Sequence, residues 1–177
     1  LSQAGAFLAA SLPALPSPWA ARQAARVSHL PFNLDSLFYT EGSLSPEARA
    51  EMYRTVVSPL SRGELLHYRQ VLKAGELVSS EGDVDYAEAL ASLSLPLLVV
   101  GGSGDKIAPA HRVKEYYSRA GSSDKTWILA GVDDGFSHDY GHLDLTLGDH
   151  AQEEIHKPIA AWLHARLLDA AEPSPEP

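Results

Sequence analysis

The chain has 177 residues, of which 45% are hydrophobic and 21% charged, and its formal net charge is −9. This length and composition fit one globular domain with a sizeable core. The acidic balance disfavours nucleic acid or an anionic membrane surface as a partner. The sequence has no cysteine, which excludes disulfides, thiolate metal sites and a cysteine nucleophile in this chain. Apolar runs such as Leu95–Val100 are far too short to span a bilayer, so no membrane span is expected.

Residues 1–94 carry helical patterns and almost nothing with the two-residue period of a strand. The rigid connector Pro13–Pro18 separates the first two helices, and Ser45 is a good N-cap for the third. The sequence predicts four helices in this segment, at Ala4–Leu12, Trp19–His29, Ser45 to about Val57, and Ser61–Ala74.

From Leu95 the pattern changes to strand, turn, helix, strand, turn and helix. The run Leu97–Val100 is wholly apolar, as expected of a strand that a parallel sheet buries on both faces. The sequence therefore predicts an α/β fold with a parallel sheet, in which ligands bind at the carboxyl ends of the strands. The closing elements are strand Leu97–Val100, helix Pro109–Ala120, strand Lys125–Ala130, helix Glu153–Leu168 and a disordered tail at 169–177.

Asp105 stands at the carboxyl end of the first predicted strand, in the stretch Gly101-Gly102-Ser103-Gly104-Asp105. The glycines allow the tight turn that would expose such an acid. A catalytic acid at this place would accept the N–H of an imidazole and hold it in one tautomer. The alternative is an ordinary turn residue that caps the following helix.

His142 follows the second predicted strand, in a glycine-rich, aromatic turn just before a helix. Its surroundings favour a catalytic base over a structural hydrogen-bonding residue. His138, four residues earlier, is the competing histidine. A metal site is a further alternative, because His138, Asp139, His142 and Asp144 are close in sequence. Gly135 and Gly141 indicate a loop in which the four-residue spacing has little meaning, so neither a metal nor another cofactor is expected.

A nucleophile elbow of the form G-x-S-x-G does not occur in these 177 residues. We expect a serine upstream of Leu1, in a longer precursor that has been cut or on a companion chain that holds the N-terminal half. An isolated half would leave exposed the strand edge that should be paired. The alternative to both is a chain that merely starts late. Ser2 is the other candidate, since a glycine before Leu1 would give the degenerate elbow G-L-S-Q-A.

These motifs resemble the α/β-hydrolase superfamily, in which a serine, an acid and a histidine follow one another along the chain. The chain is most similar to the acid-lipase and esterase branch typified by gastric and lysosomal lipases. The resemblance covers roughly residues 95–168 and is carried by Gly101–Asp105, His142-Leu143-Asp144-Leu145 and Asp149–Glu154. It implies that residues 1–94 form a helical cap or lid, that 95–168 form the C-terminal part of the core, and that Asp105 and His142 are the acid and the base of a catalytic triad.

The expected function is that of a serine hydrolase acting on a small carboxylic ester, as a processed fragment or as one subunit of a heterodimer. The apolar and aromatic cap favours a lipophilic acyl or aromatic substrate. Acyl transfer and amide hydrolysis use the same fold, and a non-catalytic binding module is the alternative outside enzymes. The cellular compartment, cytoplasmic or exported, stays open.

Overall fold

The computed structural model describes Arg26, residues 35–55 and residues 61–171. The predicted helix Ala4–Leu12, the candidate Ser2 and residues 172–177 lie outside this part of the chain, as does the predicted helix Trp19–His29 except for Arg26. Within the described residues, no helix is both long enough and apolar enough to cross a membrane.

The fold is α/β, with a two-stranded parallel sheet and helices between and after the strands. Short 3₁₀ turns lie at Leu90–Ser92 and Val132–Asp134, and a π turn lies at Gln152–His156. The main elements in chain order are α1 Pro46–Thr55, α2 Arg62–Ala74, α3 Tyr86–Ala89, β1 Leu97–Gly102, α4 Ala110–Arg119, β2 Lys125–Ala130, α5 Asp144–Leu147 and α6 Lys157–Ala171.

The chain divides into two compact units, and the described residues of the first are Arg26, 46–55, 61–95 and 115–123. In this unit α2 begins with a capping box, since Ser61 accepts the N–H of Glu64 and the Glu64 side chain accepts the N–H of Ser61. The same helix ends at Gly75, whose φ of 75° is in the left-handed region. The predicted helix Ser61–Ala74 is thereby confirmed, with Ser61 as its cap.

The described residues of the second unit are 35–45, 96–114 and 124–171. Here β1 and β2 pair in parallel, in a register that sets Leu97 opposite Lys125 and Gly102 opposite Ala130. Apolar side chains that follow or flank β2 form the core of this unit. Its buried members are Ala130, Tyr140, Ala151 and Ile155, with Val100, Phe136, Leu145 and Ile159 packed against them.

Strand β1 is two residues longer than predicted, because Gly101 and Gly102 belong to it. Both glycines lie where a side chain would collide with a neighbour. A Cβ on Gly101 would be 2.7 Å from Cη2 of Trp127, and a Cβ on Gly102 would be 2.2 Å from the backbone oxygen of Tyr140. The glycines therefore continue the strand and admit close neighbours, whereas the sequence pattern placed them in the turn.

The predicted closing helix Glu153–Leu168 is interrupted at its start and is longer at its end. Residues Gln152–His156 form a π turn, closed by a bond from the N–H of Lys157 to the oxygen of Gln152, and α6 continues to Ala171. The cause is Pro158, which has no N–H to give to the oxygen of Glu154 and whose ring crowds that oxygen in an α-helix. The wider turn absorbs the proline and changes the direction of the preceding side chains.

Candidate functional site

Asp105 and His142 meet at the carboxyl ends of the two parallel strands. Nδ1 of His142 lies 2.9 Å from Oδ2 of Asp105. The Asp105 side chain is 4% exposed and the His142 side chain 37% exposed. The acid is therefore enclosed by the protein, and the imidazole lies between the acid and the surface of the described residues.

The loop after β1 holds the Asp105 carboxylate by its other oxygen. Oδ1 accepts the backbone N–H groups of Ile107 and Ala108, both at 2.8 Å. One oxygen thus caps the turn that leads into α4, and the other accepts from the imidazole. The two interpretations that the sequence left open, a turn cap and an orienting acid, are compatible in this geometry.

The contact with Asp105 fixes which nitrogen of His142 carries the proton. An ionised carboxylate only accepts hydrogen bonds, so the proton of the neutral ring is on Nδ1 and the lone pair is on Nε2. Among the described residues, no side chain or backbone group bonds to this Nε2. A half-exposed imidazole with a free Nε2 lone pair is competent to accept a proton from a hydroxyl placed beside it.

The loops that carry the two residues are joined directly. The N–H of Gly104 donates to the backbone oxygen of Tyr140 at 2.9 Å, and the Ser103 hydroxyl donates to Oδ1 of Asp139 at 2.7 Å. Asp139 Oδ1 also accepts the N–H of Val132. The Ser103 and Val132 hydrogen bonds stabilise the ionised form and lower the pKa of Asp139 despite some desolvation. One of the two hydrogen bonds between the loops therefore has a charged acceptor.

A segment far away in the sequence supports the His142 loop from another direction. Phe38 accepts the N–H of Leu143 through its backbone oxygen at 2.6 Å, and the N–H of Thr40 donates to Oδ2 of Asp144 at 2.9 Å. Ser43 accepts the N–H of Asp149 in the same way. The sequence placed this segment in the cap, whereas its contacts are with the loop that carries His142. Local patterns carry no signal for pairings about a hundred residues apart.

His138, the competing histidine, has a different environment. Its Nδ1 is 2.9 Å from the hydroxyl of Ser137, and its ring stacks on Tyr140 at 4.1 Å between centroids. Its Nε2 is buried and lacks a hydrogen-bond partner among the described residues. Within residues 35–55 and 61–171, no carboxylate forms a direct hydrogen bond with this ring, and its buried Nε2 is closed to an incoming hydroxyl.

The four residues of the metal alternative do not converge on one point. Asp144 is fully buried and accepts from Thr40, while Asp139 accepts from Ser103 and Val132. Within residues 35–55 and 61–171, no three His, Asp or Glu side chains come close enough to hold a metal ion.

A second polar cluster lies under the His142 loop. Glu154, in the π turn, accepts the Tyr140 hydroxyl at 2.8 Å and both the hydroxyl and the N–H of Ser137. Burial works to raise the pKa of Glu154, but these hydrogen bonds outweigh it and lower the pKa. Burial and the neighbouring Glu154 raise the pKa of Tyr140, which keeps its hydroxyl a donor. The sequence places Glu154 at the start of the predicted closing helix, and no local pattern there indicates a contact with Tyr140.

No protein-family model matches the chain, and no curated protein matches it in sequence. The function proposed below is therefore based on the geometry of Asp105, His142 and their neighbours.

Proposed function

We propose that the chain supplies the acid and the general base of a serine hydrolase with the α/β-hydrolase fold, acting on a small carboxylic ester. The observation that supports this most directly is the hydrogen bond between His142 and Asp105 at the carboxyl ends of two adjacent parallel strands. Two backbone N–H groups hold the Asp105 carboxylate. Nδ1 of His142 contacts this acid, which leaves Nε2 as the nitrogen that can accept a proton. Acid and histidine follow successive strands, in the chain order of that fold.

In the proposed reaction, the role of this chain is to transfer one proton through His142. His142 Nε2 takes the proton of a serine hydroxyl while that oxygen attacks the ester carbonyl, and it later gives the proton to the leaving alkoxide. Asp105 keeps the other nitrogen protonated and stabilises the imidazolium without itself becoming protonated. A water molecule activated in the same way by His142 releases the acyl group from the serine.

The serine and the oxyanion-hole amides come, in this proposal, from polypeptide outside the described residues. A companion segment with the N-terminal strands of the fold would provide them and would pair with β1. Two features support such a neighbour. Strand β1 is bonded to β2 along one edge, and its apolar residues Leu97–Val100 are only half-buried within the described residues. A parallel neighbour on the other edge would bury them as the wholly apolar sequence requires.

The proposal keeps to ester chemistry and names no particular acyl group. Tyr39 and Tyr53 are aromatic residues of the predicted cap, whose aromatic content favours a lipophilic substrate, and both are buried. Packing in the fold is enough to explain why these positions are aromatic. The two residues therefore give no information about the substrate.

A fluorophosphonate probe tests the proposal, because it reacts with a serine only when a base activates the hydroxyl. We expect the purified protein, with any polypeptide that stays bound to it, to be labelled on one serine. The label should be lost in His142→Ala and kept in His138→Ala. An unlabelled wild-type preparation that is folded and retains its bound polypeptide would contradict the hydrolase and would favour a non-catalytic binding module.

A further inference from the structure

Tyr140 connects the candidate acid and base to the interior of the fold. It precedes His142 by two residues and is fully buried. Its backbone oxygen accepts the N–H of Gly104, the residue before Asp105. A movement of Tyr140 would therefore displace the loops of Asp105 and His142 relative to each other.

Glu154 sets the position of Tyr140 at the other end of the side chain. The Tyr140 hydroxyl donates to Oε2 of Glu154 at 2.8 Å, and Ser137 donates to the same carboxylate through its hydroxyl and its N–H. All three donors come from the loop between β2 and α5, and the acceptor comes from the turn that leads into α6. The carboxylate therefore ties the histidine loop to the start of the closing helix.

The π turn gives Glu154 this direction. Residues 153 and 154 are neighbouring acids in the same turn, yet Glu153 points to Lys157 at the surface and Glu154 to Tyr140. The turn is widened because Pro158 cannot donate to the oxygen of Glu154. Turns of this kind occur often at functional sites, where they direct a side chain that a regular helix would place elsewhere.

We propose that Glu154, acting through Tyr140, is a positioning residue for the Asp105–His142 pair. It touches neither the imidazole nor the acid. It fixes the loop geometry in which Nδ1 of His142 donates to Asp105 and Nε2 keeps its lone pair. The catalytic consequence of this role rests on the proposed function, but the effect on the imidazole does not.

The tautomer of His142 measures this role without any turnover. The ¹⁵N shifts of the ring nitrogens, assigned with His142→Ala, give the ratio of the Nδ1–H form to the Nε2–H form at a pH where the ring is neutral. We expect the Nδ1–H form to dominate in the 177-residue chain. Tyr140→Phe and Glu154→Ala should lower the ratio about tenfold. In these variants the loop is free to shift, which weakens the hydrogen bond from Nδ1 of His142 to the charged Asp105. Glu154→Gln should rescue much of it, because its amide oxygen still accepts from Tyr140.

The chain offers a matched control. Tyr116→Phe also removes a hydroxyl that donates to a glutamate, in this case Glu76 at 3.2 Å in the first unit. The ratio should stay at the wild-type value in this variant. If Tyr140→Phe, folded by its thermal melt, has the same ratio as Tyr116→Phe, the positioning role is wrong, and Tyr140→Phe decides even if Glu154→Ala does not fold.

Failure of the proposed function would leave a different signature. An inactive wild-type protein in which Tyr140→Phe still lowers the tautomer ratio would contradict the hydrolase and support the positioning role. In an active hydrolase, Glu154→Ala should lower kcat and leave KM nearly unchanged, because the orientation of the base matters mainly in the transition state. An unchanged kcat would contradict the positioning role.

Discussion

Gly102 determines how closely the loops of Asp105 and His142 approach. A Cβ at this position would be 2.2 Å from the backbone oxygen of Tyr140, and 2.9 Å from the carbon of the same carbonyl. The obstacle is backbone, which cannot move aside as the end of a flexible side chain can. The hydrogen bond from Gly104 to the same oxygen would be strained or broken by any added side chain.

Gly102→Ala should therefore destabilise the protein by about 1–3 kcal/mol through overpacking. It should also weaken the hydrogen bond between Asp105 and His142, since the two loops would separate. Gly63→Ala is the control, because Gly63 lies in α2 with only the Ser61 hydroxyl near its added Cβ, at 3.8 Å. That change should be neutral or stabilising by up to about 1 kcal/mol. Urea unfolding measures the free energy of unfolding of both variants. Equal values would show that the close approach at Gly102 does not contribute to stability.

Asp105 has two tasks that substitution separates. Asp105→Asn retains an oxygen for the N–H groups of Ile107 and Ala108 but no longer enforces the Nδ1–H tautomer of His142. Asp105→Ala leaves both N–H groups without that acceptor. We expect both variants to lose activity, and only Asp105→Ala to lose about 1–3 kcal/mol of stability. Chemical denaturation beside an ester assay measures both. A fully active Asp105→Asn would rule out the orienting role.

At the scale of elements, the sequence predicted the helices and strands whose patterns lie within a few neighbouring residues. Strand β2 runs over the predicted residues Lys125–Ala130, and α2 begins after the serine that opens the predicted helix. These elements follow from apolar periodicity and a capping box, which act over a few neighbouring residues. The approach of Asp105 to His142 was predictable as well, because parallel strands that are neighbours end at the same edge of a sheet.

Features that depend on distant contacts were not predictable in the same way. The support that Phe38 and Thr40 give to the His142 loop joins residues about a hundred positions apart. The partnership of Tyr140 with Glu154 depends on the direction of a π turn. Pro158 was the available signal for that turn, since a proline inside a helical pattern disturbs the hydrogen bond four residues back. It predicts a disturbance but not which side chain is redirected.

The capping box of α2 gives a prediction for the first unit by itself. Ser61→Ala removes the oxygen that accepts the N–H of Glu64 and should destabilise the protein by about 1 kcal/mol. The ¹⁵N shifts of His142 should not change, because Ser61 belongs to the first unit and His142 to the second. Urea unfolding and the imidazole spectrum together measure this. A change in the His142 tautomer would show that the two units are coupled.

At the scale of the whole molecule, the lowered pKa values of Glu154 and Asp139 predict a loss of stability in acid. The pKa of Glu154 in the folded state lies below its ordinary value of 4.5. The ionised carboxylate therefore stabilises the fold above that pH, and the contribution disappears as the pH falls through the lowered pKa. Protonation would remove the charged acceptor of Tyr140 and Ser137.

The free energy of unfolding should therefore fall as the pH drops below about 4.5, and the slope of this fall should be smaller in Glu154→Gln than in the wild type. Glu153→Gln is the control, since Glu153 pairs only with Lys157 at the exposed surface among the described residues. Denaturant midpoints across this range measure the slope. Identical slopes in Glu154→Gln and Glu153→Gln would show that the Glu154 carboxylate does not contribute.

The central claim is that His142 acts as a general base with Asp105 as its orienting acid. The most direct measurement is hydrolysis of a short p-nitrophenyl ester by the purified protein, with any bound polypeptide retained, in parallel with His142→Ala and His138→Ala. We expect His142→Ala to lower kcat by about 10⁴-fold or more with little change in KM, and His138→Ala to lose at most about tenfold. An active His142→Ala with an inactive His138→Ala would contradict the assignment of the base, and full activity in both variants would contradict the hydrolase itself.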